Sequence, residues 1–238
     1  MHRISVSGVE VDVARKDIKN LHLGVYPPEG RVRVATPLRV DDEAVRLAVI
    51  TKLPWIKRQQ TRFRTQERQS PREYTYRETH YYLGKRYLLN VIEHTGPSRV
   101  EVRNKARIDL YVPAGSDAYR REQVMLKWYR KELKALIPPL FTKWQETLGV
   151  TVDDWGVKKM KTKWGSCNIE ARRIWLNLEL AKKPVQCLEY VIVHEMVHFL
   201  ERNHTDRFRE LMDQFMPQWR HYRDVLNQAP LCHETWRY

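Results

Sequence analysis

Two periodicities divide this chain and predict a mixed α+β protein. Apolar and polar residues alternate at period two through much of the first 115 positions, and helical periodicity dominates from 116 onward. A third observation locates the chemistry: His194-Glu195-Met196-Val197-His198, with His204 six positions further on. We expect a β-rich N-terminal region with one helix over 1–115, part of one compact unit with a catalytic core over 116–238.

The elements follow in order. Ile4-Val6, Val9-Val11-Val13 and Val32-Val34 alternate with polar neighbours as short strands, with a turn at Pro27-Pro28-Glu29-Gly30. Asp41-Asp42-Glu43 opens a helix, where acidic residues complement the dipole. Ala44, Leu47, Ala48 and Ile50 give it an apolar stripe, and Pro54 is expected to kink or interrupt it. The basic stretch from Lys57 to Arg72 is a helix extension or a linker. His80 to Leu89 reads as a hairpin turning near Gly84, and strands follow at Arg99–Val102 and Ile108–Val112. Ser116-Asp117 caps a long helix carrying Val124, Trp128, Leu133, Leu136 and Ile137; Pro138-Pro139 is expected to break it, and Gly149 to end it. Thr151–Lys163 is strand-like, Trp164-Gly165-Ser166-Cys167 is a tight element, and Ile174–Leu178 is the next strand. Pro184 opens the motif helix, Asn203 or Thr205 caps the next one, and a short helix lies around Trp219 to Leu226. No internal repeat or low-complexity tract is evident.

Composition narrows the class. An apolar fraction of 42% with 11% aromatic residues fits a folded protein with a sizeable core. No apolar stretch is long enough for a bilayer, and the N-terminus lacks the apolar run of a signal peptide. Cys167, Cys187 and Cys232 are odd in number and scattered, which argues against a disulfide framework and for a reduced, cytoplasmic setting. The net charge of +14 attracts polyanions, but only a clustered basic face would distinguish a nucleic-acid or nucleotide partner from a generally basic surface.

The motif has a definite chemistry. On a helix, residues i and i+4 share a face, so His194 and His198 can aim ring nitrogens at one ion. Glu195 stands about 100° round the helix, beside the ion, where it can take a proton from water. His204 completes three imidazoles and leaves one position open, as catalytic zinc sites require. The apolar run Val185–Val193 implies that the motif is buried, and burying such groups without partners is costly. A metallohydrolase with one Zn²⁺ per chain is the reading.

Lys163-Trp164-Gly165-Ser166-Cys167, a strand with Asn177, His194-Glu195-x-x-His198 and Asn203-His204 together resemble the YgjP-like metallopeptidase family, itself similar to WLM and SprT-like zincins. The resemblance implies a zincin-like α+β core with a small twisted sheet packed on the motif helix. It also implies metal ligands at His194, His198 and His204, a catalytic Glu195 and a peptide or protein substrate. In metzincins a Gly stands between the second and third histidines; here Glu201 occupies that place, so the WLM-type arrangement fits better.

Physics leaves two readings of the Trp-Gly-Ser-Cys element. Trp164 packs the sheet on the motif helix, or Gly165, Ser166 and the adjoining Lys163 lie close to substrate. Cys167 reads as a buried structural thiol, and Trp128-Tyr129 as core. Glu201 or Asp206 can support a ligand histidine by accepting its second N–H. His221 and His233 read as ordinary surface histidines. Besides the peptidase, two alternatives stand: a nucleoside triphosphate pyrophosphohydrolase using Lys158, Lys159, Lys161 and Lys163, and a DNA-associated protease of SprT or WLM type.

Overall fold

The computed structural model describes residues 1–26, 29–65, 72–160 and 163–228. Pro27-Pro28, Lys161, Cys232 and His233, which figure in the sequence reading, lie outside them. Two compact units form, one within residues 1–71 and one within 72–229. The strands over 79–112 lie in the second unit together with the helices that follow them. Among the described residues no helix is long and apolar enough to cross a membrane.

In the first unit, β1 (His2–Val6), β2 (Val9–Lys16), β3 (His22–Tyr26) and β4 (Arg31–Pro37) form a sheet ordered β1-β2-β4-β3. The α1 helix (Asp42–Thr65) follows, and Val11, Val13, Val32 and Val34 form a fully buried core with its Val45, Val49 and Ile56. Those three residues, and not the expected Leu47 and Ile50, make the inward face; Leu47 and Ile50 are 59% and 49% exposed. The helix also continues through Pro54. Its buried face spans the proline on both sides, and that packing offsets a lost backbone bond.

The second unit opens with the same arrangement. Strands β5 (Thr79–Tyr82), β6 (Lys85–Glu93), β7 (Arg99–Arg103) and β8 (Arg107–Val112) are ordered β5-β6-β8-β7 and lead into α2 (Ala118–Leu148). Pairing senses repeat as well. The first two strands are antiparallel, the second and fourth parallel, and the third and fourth antiparallel in both sheets. Adding 76 to a residue number in the first copy gives its counterpart through the first hairpin, the fourth strand and the helix start, while the parallel register between the second and fourth strands differs by two residues. Val9 matches Lys85, Arg31 matches Arg107, Pro37 matches Pro113 and helix start Asp42 matches Ala118. Asp41 and Asp117, also so related, each accept a hydrogen bond from the backbone N–H three residues on, at 2.8 Å. The two hairpin turns, Ser7-Gly8 and Leu83-Gly84, both place two residues at positive φ. The chain therefore contains a tandem ββββα repeat that alternating valines conceal.

The second copy alone carries a further segment. It comprises β9 (Asp154–Lys158), β10 (Gly165–Asn168), β11 (Arg173–Asn177), a 3₁₀ turn (Leu178–Lys182), α3 (Val185–Val197), α4 (Asp206–Phe215) and α5 (Trp219–Gln228). The three strands form a sheet ordered β10-β11-β9, so β10, expected as a compact turn element, is an edge strand. One core joins Leu89, Ile108, Leu110, Met125, Leu133 and Ile137 to Ile174, Leu176, Ile192, Val193 and Met196, none more than 1% exposed. Helix α2 runs unbroken through Pro138 and Pro139, because Leu133, Ile137, Phe141, Trp144 and Leu148 continue one buried face across them. Asp117 caps its start, and Gly149 ends it at φ 65° as expected.

The repeat's hairpin turn anchors this segment. Leu83 N–H donates to the Ala181 carbonyl at 3.0 Å and Gly84 N–H to that of Lys182 at 3.3 Å. A Cβ on Gly84 would stand 2.7 Å from Pro184 Cγ, whereas one on Gly8 would meet nothing within 4 Å. Both glycines sit near φ 77°, so alanine at either costs about 1 kcal/mol in strain. Gly84→Ala adds overpacking of about 1–3 kcal/mol. Urea unfolding is expected to show a clearly larger loss for Gly84→Ala than for Gly8→Ala.

Candidate metal centre

The α3 helix is apolar almost all round, and Leu188, Val191, Ile192, Val193 and Met196 are buried. It is therefore a core helix rather than an amphipathic surface one. It ends at the motif itself: His198 is its C-cap, and Phe199, Leu200 and Glu201 follow in tight turns bonded to the Met196 and Val197 carbonyls. No residue from 199 to 205 has positive φ. A glycine at 201 is thus not needed, and Asn203 does not form a left-handed cap. Thr205 caps α4 by accepting from Phe208 N–H.

These turns bring His204 back to the helix. One ligand atom from each of His194, His198 and His204 lies within 4.8 Å of the others, close enough to hold one metal ion. His204 Nε2 and His194 Nε2 are 3.0 Å apart. His198 Nδ1 lies 3.2 Å from the Glu201 carbonyl, which can only accept, so the proton sits on Nδ1 and the Nε2 lone pair is left available. Burial, with help from the neighbouring imidazoles, lowers His194 to about 3; burial also lowers His198. Both rings are neutral at physiological pH, the state a metal ligand requires.

Phe208 was not foreseen as part of the centre. It is 2% exposed on α4, and its ring centroid lies 5.0, 4.8 and 4.7 Å from those of His194, His198 and His204. One aromatic ring therefore packs against all three imidazoles and limits their rotamers. Its one signal in the sequence is the apolar stripe it shares with Leu211 and Met212 on α4.

Glu195 is 7% exposed, and burial raises its carboxyl to about 7 against the lowering effect of Lys163. Its position depends on Gly165. A Cβ there would lie 2.6 Å from Glu195 Oε1 and 2.8 Å from both Glu195 Cγ and Val191 Cγ1. The missing side chain of Gly165 makes room for Glu195 and α3, so the close approach of β10 to the helix requires the glycine. Cys167, two residues along the same face, is half-buried instead of buried; desolvation and Glu195 push its thiol up to about 12.

Asn177 ties the approach segment down. Its Oδ1 accepts from Glu179 and Met160 N–H at 3.1 and 3.3 Å, and its Nδ2 donates to the Met160 and Lys163 carbonyls at 2.8 Å. Lys163, Gly165 and Ser166 then line a cavity of about 960 Å³ together with His194, Glu195, His198 and His204. Of the four lysines read as a phosphate-neutralising group, Lys163 alone among the described ones lines it; Lys158 lies over Trp175 instead. The carboxylates of Glu201 and Asp206 do not reach a ligand ring: Glu201 accepts from Asn203 N–H, and Asp206 pairs with Arg209. The Glu201 backbone carbonyl takes the supporting role. His221 is exposed and stacks edge-on with Tyr222, apart from the centre.

Because Asn177 satisfies four buried or half-buried backbone groups, Asn177→Ala is expected to cost about 3 kcal/mol in thermal or denaturant unfolding. Asn177→Asp, which keeps the two accepted bonds but sets a carboxylate oxygen against the Met160 and Lys163 carbonyls, should lose at least as much.

A search of curated proteins finds no match to the chain. A family model does match: residues 19–229 fit the YgjP-like family, described as a metallopeptidase domain. That match covers the repeat from its third strand onward, the Gly165 edge strand, the histidine cluster and α5, and on this basis the chain belongs to the YgjP-like metallopeptidase family.

Proposed function

We propose that this protein is a zinc-dependent peptidase in which His194, His198 and His204 hold one ion and Glu195 is the general base and acid. The observation that carries this reading is three converging imidazoles, two of them held neutral by burial, beside a buried carboxyl raised to about 7. The donor set fits the ion. Two nitrogens on a tetrahedral zinc with 2.0–2.1 Å bonds stand about 3.3 Å apart, close to the 3.0 Å between His194 and His204. An all-imidazole set also suits zinc better than magnesium, which prefers oxygen. When bound, such an ion polarises a scissile carbonyl and brings the pKa of water toward about 7.

The chain's own residues supply the rest. Glu195 accepts a proton from the attacking water and delivers it to the leaving amine, and a pKa near 7 suits it to both transfers. Gly165 and Val191 hold that carboxyl in place. The free edge of β10 offers backbone groups to an extended peptide, with Ser166 and Lys163 beside it in the cavity. Lys163 and Arg202 on the cavity wall favour one second reading, hydrolysis of a nucleotide polyphosphate at the same centre.

One experiment separates the two. A denatured protein and nucleoside triphosphates are incubated together with the chain, and products are identified by mass spectrometry against Glu195→Gln. New peptides absent from the variant are expected. Nucleoside monophosphates without peptides would replace the peptidase reading by the hydrolase one. Glu195→Gln should still bind one zinc, while Phe208→Ala should weaken zinc affinity on the order of tenfold in competition with a chromophoric chelator.

A further inference from the structure

The repeat leaves one face of each sheet open, and the two open faces share a composition. In the second unit, Ile108, Leu110 and Val112 of β8 are buried in the core, so Arg107, Asp109 and Tyr111 point the other way. The pairing register sets Leu88 and Asn90 of β6, and Arg99, Glu101 and Arg103 of β7, beside them on that outer face, with Arg86 and Tyr81 at its near end. The guanidinium groups are exposed: Arg99, Arg103 and Arg107 by 44%, 50% and 53%. Leu88 is 39% exposed among them.

The arginines are arranged rather than scattered. Asp109, 3% exposed, is an anchor held by Arg107 at 2.9 Å, Arg103 at 3.6 Å and Asn90 at 2.8 Å. Glu101 binds Arg99 at 2.9 Å and also binds Arg103. Arg99 in turn stacks on Tyr111, with its guanidinium carbon 3.9 Å from the ring centroid, and His94 approaches the same ring edge-on. Four arginines against two acids leave a positive surplus on a surface with two tyrosines. The first unit repeats the pattern: Asp12, side chain 7% exposed, anchors Arg3 and Arg31, and Arg31 is the counterpart of Arg107.

We propose that the open face of the β5–β8 sheet binds single-stranded nucleic acid, with Tyr111 and Tyr81 stacking bases and Arg86, Arg99, Arg103 and Arg107 meeting phosphates. A four-stranded sheet backed by a helix and faced with aromatics is a surface that suits unpaired bases. Planar guanidinium groups held by buried Asp109 and half-buried Glu101 are preorganised for phosphate oxygens and lose little entropy on binding. A duplex hides its base faces and cannot use the tyrosines. The surface is distinct from the histidine centre, so the inference does not depend on the peptidase reading.

The test is fluorescence anisotropy of a labelled oligouridine of about 16 nucleotides with the full-length chain. Binding is expected to weaken about tenfold or more between about 50 and 200 mM salt. Tyr111→Leu, which keeps apolar packing, should weaken binding at least about fivefold. Arg86→Gln with Arg107→Gln should flatten the salt dependence, and unchanged melting temperatures would show that both variants are folded. No binding at the lower salt, binding unaffected by these substitutions, or a duplex bound as tightly as the single strand would each overturn the proposal. So would displacement by polyglutamate at equal charge, which would make the face a general polyanion surface.

Discussion

Burying a carboxyl and imidazoles in one apolar pocket is the constraint around which the catalytic unit is built. Left charged and unpartnered, each group would cost several kcal/mol. The protein meets this by holding His194 and His198 neutral and Glu195 near 7, all through desolvation by α3 and its neighbours. The shell that desolvates these groups also orients them. Phe208 touches the three rings, the Glu201 carbonyl fixes His198, and Gly165 lets β10 close over Glu195.

That shell rests on the repeat. Its second copy places Leu83 and Gly84 against the 3₁₀ turn and Pro184, which sets where α3 begins and hence where His194 points. The first copy keeps the same strand order, turn geometry and capping aspartate, yet carries no comparable segment. One ββββα design thus appears twice among the described residues, and the histidine cluster is built on the second copy.

Much of this was legible in the residues. The motif spacing indicated the helix and its histidines, period-two runs marked most strands, and Asp117 and Gly149 marked the ends of α2. What was not legible has physical causes. Val11, Val13, Val32 and Val34 look like any alternating strands, so the repeat shows only in strand order and pairing sense. Leu47 and Ile50 are apolar but exposed, since apolar residues are common on surfaces and only three-dimensional packing chooses the inward face. Helices α1 and α2 cross their prolines because long-range burial outweighs local propensity. Phe208 and Asn177 sit far in sequence from what they hold, and an aromatic in a helical stripe or an asparagine in a strand gives no sign of its contacts. The close fit of Gly165 against Glu195, thirty positions on, shows only in the fold.

X-ray absorption at the zinc edge of metal-loaded protein tests the central claim most directly. Three imidazole nitrogens at about 2.0–2.1 Å with one lighter oxygen donor are expected. A sulfur at about 2.3 Å would put Cys167 or another thiol on the ion and contradict the three-histidine centre.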